Sequence, residues 1–401
     1  MLGDSLLSYY KNNNFNPVPI TLEDKSTKEL HFARRYNLYQ RHLGIPLFLL
    51  RGRSVLEFGC NSGENALVLA STGADLTLVE PNEQVLPRLK MLFKKFGFEE
   101  RIVALLQTDI DSFKSKRLYD VVIVEGFLFT LPNRNAMIQK IGRLLAPGGF
   151  AVISFNDRYG SLLEFTRRMI FWRACHLAKI NDVESKSSLA IALRLYQQDF
   201  VRLNASRPFE AWWKDILINP FFSFSHLWSY AELLPLLEME NCEFYSSSPK
   251  WSFMEHFNWY KNIPIQDNYH TLLLEDWKEV FSFFLTGIPP ANKKNNPATT
   301  EEAIAVSELV MRISEYTTKP HLSIDSLLYP SVLKQYFQRS KDSKLLCFNA
   351  EMEKIYNALK CCQLDELIST YHEAKHVRKL WGAPYHYACF RNLGHQSNCE
   401  K

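Results

Sequence analysis

With 401 residues the chain is longer than one ordinary folding unit, so two units are expected, each large enough to bury a core. A net charge of +4 with Lys and Arg scattered among nearly as many Asp and Glu argues against a dominant phosphate-binding surface, so no nucleic-acid partner is expected. The eight Cys include no Cys-x-x-Cys pair, and adjacent Cys361 and Cys362 read as reduced thiols rather than as part of a secreted disulfide framework.

Residues 1–27 read as an N-terminal segment of short helix and loop. Met1 to Asn14 has no basic stretch followed by an apolar one, and no apolar run approaches bilayer-spanning length. A cytoplasmic protein with no membrane partner is therefore expected. Residues 28 to 43 carry Phe32, Tyr36, Tyr39 and Leu43 at steps of four and three, which predicts one helix with an apolar face.

A regular alternation begins at Ser54. The short apolar strand Val55-Leu56-Glu57-Phe58 breaks into Gly59-Cys60-Asn61-Ser62-Gly63, and Glu64 to Ala70 reads as the buried helix that follows. Glycines suit a turn that needs positive φ and close approach of a ligand to bare backbone. The spacing is Glu-x-Gly-x-x-x-Gly, with Asn61 where a dinucleotide fingerprint would place its second glycine, so a pyrophosphate cofactor is disfavoured.

Leu76 to Val79 is the second strand, ending in Glu80-Pro81, and Gln84 to Phe96 is a basic amphipathic helix. Arg101 to Leu106 is the third strand, followed by Gln107-Thr108-Asp109-Ile110. Tyr119 to Val124 is the fourth, ending in Glu125-Gly126-Phe127, and Leu144-Leu145-Ala146-Pro147-Gly148-Gly149 leads into a fifth, Phe150 to Phe155. Glu57, Glu80, Asp109 and Glu125 thus fall at the carboxyl ends of predicted parallel strands, where ligands of open α/β sheets bind. Taken singly, each carboxylate could equally be a helix cap or a surface charge.

This succession resembles the class I S-adenosylmethionine-dependent methyltransferases, through the Glu-x-Gly-x-x-x-Gly turn, the acidic ends of strands two and three, and the Leu-x-Pro-Gly-Gly turn before strand five. The resemblance covers Ser54 to Phe155 well and thins beyond. It implies an α/β, Rossmann-like, doubly wound and mostly parallel seven-stranded sheet that binds S-adenosyl-L-methionine. It also implies that Glu57, Gly59, Cys60, Asn61 and Gly63 enclose the methionine part of that cofactor, that Glu80 accepts the ribose hydroxyls, that Asp109 and Ile110 lie beside the adenine, and that Glu125 borders the site. Phe127 stands where many members of the family carry a polar residue.

After Asn156 the pattern turns helical, predicting an insertion over about 157–240, which in the resembling family commonly builds the acceptor site. The aromatic run Trp212, Trp213, Phe221, Phe222, Phe224, His226 and Trp228 reads either as core or as a pocket wall. A helix through Leu237 and a returning strand at Glu243-Phe244-Tyr245 follow, and Trp251 to Tyr260 is the expected last strand, closing the sheet antiparallel. The expected methyltransferase domain spans 28–286. Residues 287–300, with three prolines and no apolar periodicity, form a linker, and 301–401 a helical C-terminal domain starting at Thr299 and Glu302. That domain could serve homo-oligomerisation.

His372-Glu373-Ala374-Lys375-His376 matches His-Glu-x-x-His, a zinc pattern when it lies on one helix. The apolar face there is Leu364, Leu367, Ile368 and Tyr371, which leaves both histidines on the opposite, solvated face. His386, Cys389, His395 and Cys399 are spaced too tightly between pairs for a structural zinc site. No metal is expected. The function expected is transfer of a methyl group to an O or N of a small-molecule or carbohydrate-like acceptor, with Glu125, His226 or His256 as the base where one is needed. The alternatives are a protein methyltransferase docking its substrate on the C-terminal domain, and a scaffold that keeps the fold without turnover.

Overall fold

Strands covered on both faces need runs of Val, Leu, Ile and Phe without polar alternation, and such runs supply the parallel centre of the sheet. The computed structural model describes residues 8, 9, 11, 22, 24–203, 208–252, 269–289, 297–318, 324 and 327–394. Its strands are β1 (Ser54–Phe58), β2 (Asp75–Val79), β3 (Ile102–Leu106), β4 (Tyr119–Val124), β5 (Leu145–Asn156), β6 (Cys242–Ser248) and β7 (Tyr385–Asn392). They form one seven-stranded sheet in the order β3-β2-β1-β4-β5-β7-β6. β1 pairs in parallel with β2 and β4, β2 with β3, and β4 with β5, whereas β6 and β7 are antiparallel. The chain winds outward from β1 through β2 to β3 and then resumes on the other side of β1 with β4. A crevice therefore opens at the carboxyl ends of β1 and β4.

Helix α1 (Lys25–Tyr36) starts at Asp24, whose carboxylate accepts from the Thr27 N–H at 2.7 Å, and runs on as a π-helical turn over Asn37–His42. The later helices of the alternation are α2 (Glu64–Ser71), α3 (Leu86–Phe96) and α4 (Arg134–Leu144). Tyr39, Leu43 and Leu47 join Ala66, Leu67, Leu76, Leu89 and Phe93 in one buried cluster. Full burial of side chains such as Leu67 or Phe93 stabilises by about 1.5–3 kcal/mol each. The Gly126 N–H at the end of β4 donates to Ser154 of β5 at 2.8 Å, fixing the turn that leaves the crevice.

The strand beside β6 is β7, not the expected Trp251 to Tyr260. Trp251 and Ser252 lie outside any strand, and 253–260 fall outside the described residues. In β7 the residues run from Tyr385 to Asn392 and pair with β6 in the register Cys242↔Asn392 to Ser248↔Tyr387. Strand-like patterning occurs at both places in the sequence, and periodicity cannot rank two partners so far apart in the chain.

The framework divides into two compact units, each interleaved along the chain. One contains Met1–Phe155, Tyr230–Leu274 and His386–Lys401, the other Asn156–Ser229 and Glu275–Tyr385. The helical insertion and the helical C-terminal residues thus belong to a single unit instead of two domains in series, because β7 carries the end of the chain into the sheet. Half of the expected linker, 290–296, lies outside the described residues.

In the second unit the helix Leu162–Leu177 is buried over most of its length. Thr299 and Glu302 open the helix Thr300–Thr318 with a reciprocal capping box, Thr299 N–H to Glu302 at 2.8 Å and Glu302 N–H to the Thr299 hydroxyl at 3.2 Å. The aromatic run turns out to be mainly core: Trp212, Trp213, Phe222 and Trp228 are buried, and Trp212 packs against Tyr196, Phe200, Phe209 and Trp381.

Candidate functional site

The turn after β1 is set by backbone conformations that few side chains tolerate. Gly59, Asn61 and Gly63 have φ of 66°, 47° and 86°. A Cβ on Gly59 would come within 2.6 Å of the Phe127 ring, and one on Gly63 within 2.9 Å of Leu89. Glycine at 59 therefore serves first to let the strand-four turn close against the strand-one turn. The sequence suggested the positive φ and the approach of a ligand, but not this contact with Phe127.

Glu80 ties this turn to the end of β2. Its two oxygens accept from the Asn61 N–H at 2.7 Å and the Asn82 N–H at 2.8 Å, and its backbone N–H continues the ladder to Leu106. The carboxylate is 6% exposed, and burial raises its pKa. A carboxylate has about four lone-pair positions, so two accepted bonds leave room for a pair of hydroxyl donors.

Glu57, at the base of the turn, is buried as completely as the core around it. Burial, and then the charge of Glu125, push its pKa up to about 8, against a smaller downward pull from Arg35. Its Oε2 has no hydrogen-bond partner among the described residues. A buried, under-satisfied carboxyl of this kind favours a positively charged or donor-bearing ligand group. Cys60 is also buried, and its thiol is held protonated chiefly by desolvation.

Glu125, past β4, is engaged from several sides. Arg35 of α1 holds it through both terminal nitrogens, at 2.5 and 2.9 Å, Asn65 donates at 3.2 Å, and the Tyr39 and Tyr387 hydroxyls lie at 3.5 Å. Desolvation pulls the Arg35 pKa down more than any single partner raises it, but the charge and hydrogen bond of Glu125 together with Tyr39 and Tyr387 carry it upward, so the guanidinium stays protonated. Engaged in this way, the carboxylate ties α1 to the end of β4, over the crevice.

α1 reaches the turn through a second contact, His31 Nε2 to the Glu64 carbonyl at 3.2 Å. His31, Arg35 and Tyr39, spaced four apart, make a polar stripe on the helix that the apolar pattern does not reveal. Arg35 was missed for this reason, Asn65 because its partner Glu125 lies far away in the chain, and Tyr387 because β7 was not foreseen. The signal available for Arg35 was its i, i+4 spacing from both His31 and Tyr39.

Asp109 lies past β3 and is exposed, with one oxygen accepting from the Ser112 N–H at 2.6 Å, while Ile110 beside it is buried. His226 belongs to the second unit, where its Nδ1 pairs with Ser223 at 2.9 Å. His256 lies outside the described residues.

The His372–His376 pattern does not lie on one helix, and of the second set His395 and Cys399 fall outside the described residues. The helix carrying His372 ends at Glu373, Ala374 leaves helical geometry with ψ of 70°, and His376 starts in a new helix, Lys375–Lys379. His376 pairs with Glu351 at 2.7 Å, and His372 lies against the Arg194 carbonyl. On β7, His386 and Cys389 are three residues apart and so face opposite sides of the sheet, and His386 is spent on Tyr230 at 3.1 Å.

Residues 31–200 match a family model described as a methyltransferase domain. Among curated relatives, the cypemycin N-terminal methyltransferase of a Streptomyces species is 32% identical over 112 residues, covering 27% of this chain and 44% of that protein. The ubiquinone biosynthesis O-methyltransferase of Rickettsia canadensis is 29% identical over 104 residues, covering 26% of this chain and 43% of that protein. Among solved structures, the CcbJ methyltransferase of Streptomyces caelestis is 27% identical, with a TM-score of 0.27, covering 29% of this chain and 49% of that one. The chain thus spans less than half the length of these relatives. No helix among the described residues is long and apolar enough to cross a membrane.

Proposed function

As the chain belongs to the class I S-adenosylmethionine-dependent methyltransferase family, we propose that it transfers a methyl group from S-adenosyl-L-methionine to an O or N of a small-molecule or carbohydrate-like acceptor. The observation that carries this reading is the buried pair Glu57 and Glu80 at the carboxyl ends of β1 and β2, one with an oxygen lacking a partner and the other tied to the glycine turn. Both suit a cofactor that bears positive charge at one end and vicinal hydroxyls in its middle.

In this reading Gly59, Cys60, Asn61 and Gly63 cradle the cofactor, Glu57 faces its cationic part, and Glu80 takes the ribose. Asp109 and Ile110 border the adenine. Glu125 acts through Arg35, holding α1 as a cover that limits water. The cofactor supplies a methyl already activated on sulfonium. What the protein adds is alignment of an acceptor lone pair with the carbon, so that the new bond to O or N forms as the sulfur–carbon bond breaks. An acceptor proton then leaves to a base or to water.

The test is incubation of cell lysate with the purified protein and cofactor carrying a radioactive methyl, followed by separation of protein from small molecules. Label in the small-molecule fraction supports the proposal. Label confined to protein moves the acceptor to a polypeptide, and no label beyond a protein-free control contradicts methyl transfer.

A further inference from the structure

In a parallel sheet the amino ends of all strands lie on one rim, opposite the rim that carries the candidate site. At that amino rim the chain enters β1 through Pro46 and a single helical turn, Leu47–Leu50. Leu47 and Leu50 point into the core, while Phe48 and Leu49 between them are 73% and 56% exposed. The turn is fixed from behind, by Gly52 N–H to the Gly73 carbonyl at 2.8 Å and Arg53 N–H to the Leu50 carbonyl at 2.9 Å. The next strand over, β4, begins one residue after Leu118, which is 47% exposed. The Ser54 N–H and hydroxyl both donate to the Asp120 carboxylate at 2.8 Å, so the two entrances stand side by side.

Scattered exposed apolar residues are ordinary. These are interleaved with cations: Arg51 and Arg53 follow the first turn, and Lys116 and Arg117 precede Leu118, all exposed. Two acids stand beside them among the described residues: Asp120, which Arg53 meets at 3.5 Å, and Asp75 at the start of β2, which Arg101 meets at 3.4 Å. Glu99 and Glu100 lie at the entrance to β3, at the sheet edge. Averaged over the chain the charge is mild, but at the entrances to β1 and β4 it is concentrated and positive.

We infer that this rim docks on an anionic phospholipid surface, with Phe48, Leu49 and Leu118 entering the headgroup boundary and Arg51, Lys116 and Arg117 meeting lipid phosphates. Apolar tips ringed by Lys and Arg have the composition such surfaces select, and no spanning segment is needed. The amino rim then faces lipid and the carboxyl rim faces away, so the candidate site stays open to the aqueous side. The inference stands independently of any activity at that site.

The experiment is co-sedimentation of the full chain with phosphatidylcholine vesicles prepared with and without phosphatidylglycerol. Binding should require phosphatidylglycerol, weaken in high salt, and fall by at least about tenfold in the double variant Phe48→Ser/Leu49→Ser. Arg51→Gln with Lys116→Gln should also weaken it. Thermal melting of the serine variant should match the parent, since Leu47 and Leu50 are untouched. The inference is overturned if the parent remains in the supernatant, if it binds both vesicle types equally, or if the serine variant pellets like the parent. It is also overturned if chromatography finds a parent dimer that the serine changes split, which would give the face to a second copy of the chain.

Discussion

Both compact units bury charge, and they do so in opposite ways. In the second unit Asp199, fully buried, accepts from Arg378 and from the Tyr371 hydroxyl at 2.8 Å, and one terminal nitrogen of Arg168 donates to the carbonyls of Ile216, Asn219 and Phe222. Arg167 donates to Tyr371, Val377 and Leu380 with its face over Trp381 at 3.9 Å. These charges are largely consumed by the fold: Nη1 of Arg167 has no hydrogen-bond partner among the described residues, but its guanidinium lies on the Trp381 ring. In the first unit, Glu57 keeps an oxygen without a partner and Glu80 keeps lone pairs beyond its two backbone bonds. Buried charge that is fully answered is architecture, and buried charge only partly answered marks where a ligand is expected.

The contrast is broken most forcefully at Asp199. Asn there removes the buried counter-charge of the part-buried Arg378, and stability should fall by about 3 kcal/mol in urea unfolding. A loss under about 1 kcal/mol would mean the network is not structural. Next in size is Gly59→Val. Its Cβ meets the Phe127 ring and its φ of 66° is left-handed, so it should cost about 1–3 kcal/mol and remove cofactor binding. Adding Phe127→Ala should restore part of the stability, and failure to do so would show that the ring is not what the new side chain strikes.

Glu57 sharpens the comparison through pH. Its folded pKa of about 8 lies above the ordinary 4.5, so its contribution to stability is complete below 4.5, declines as the pH rises, and is gone above about 8. Glu57→Gln should flatten that slope in thermal melts. A cationic ligand binds the ionised form, so affinity should rise roughly tenfold between pH 6.5 and 8, with proton release seen as a buffer-dependent heat. An affinity flat with pH would detach Glu57 from the ligand. The smallest effect is expected for metal removal: dialysis against a chelator should leave melting unchanged, because His372 and His376 sit on separate helices. Stoichiometric zinc in the purified protein would contradict this.

What the sequence made legible was local. β1 to β5, the helices between them, the positive-φ turn and the Thr299–Glu302 box all announce themselves within a few residues. Illegible features depended on distant pairing. β7 joins the sheet from the end of the chain, and this also hid the interleaved units and Tyr387. The His-Glu-x-x-His segment breaks at Ala374, where Glu351 accepts the backbone N–H groups of His376 and Val377 from another helix. At the site, the carboxylates were found from their places at strand ends. What each does depended on its neighbours: Glu125 ties α1 to the end of β4 because Arg35 reaches it from that helix.

The most direct measurement is calorimetric titration of S-adenosyl-L-methionine into the parent and into Glu80→Ala. On the proposed assignment Glu80 accepts two hydroxyls, and a bond to a charged acceptor contributes about 1.5–3 kcal/mol. The parent should bind, Glu80→Ala should bind about two orders of magnitude more weakly, and Glu80→Gln should lie between them. No binding by the parent, or equal binding by parent and Glu80→Ala, would contradict the assignment of this rim to the cofactor.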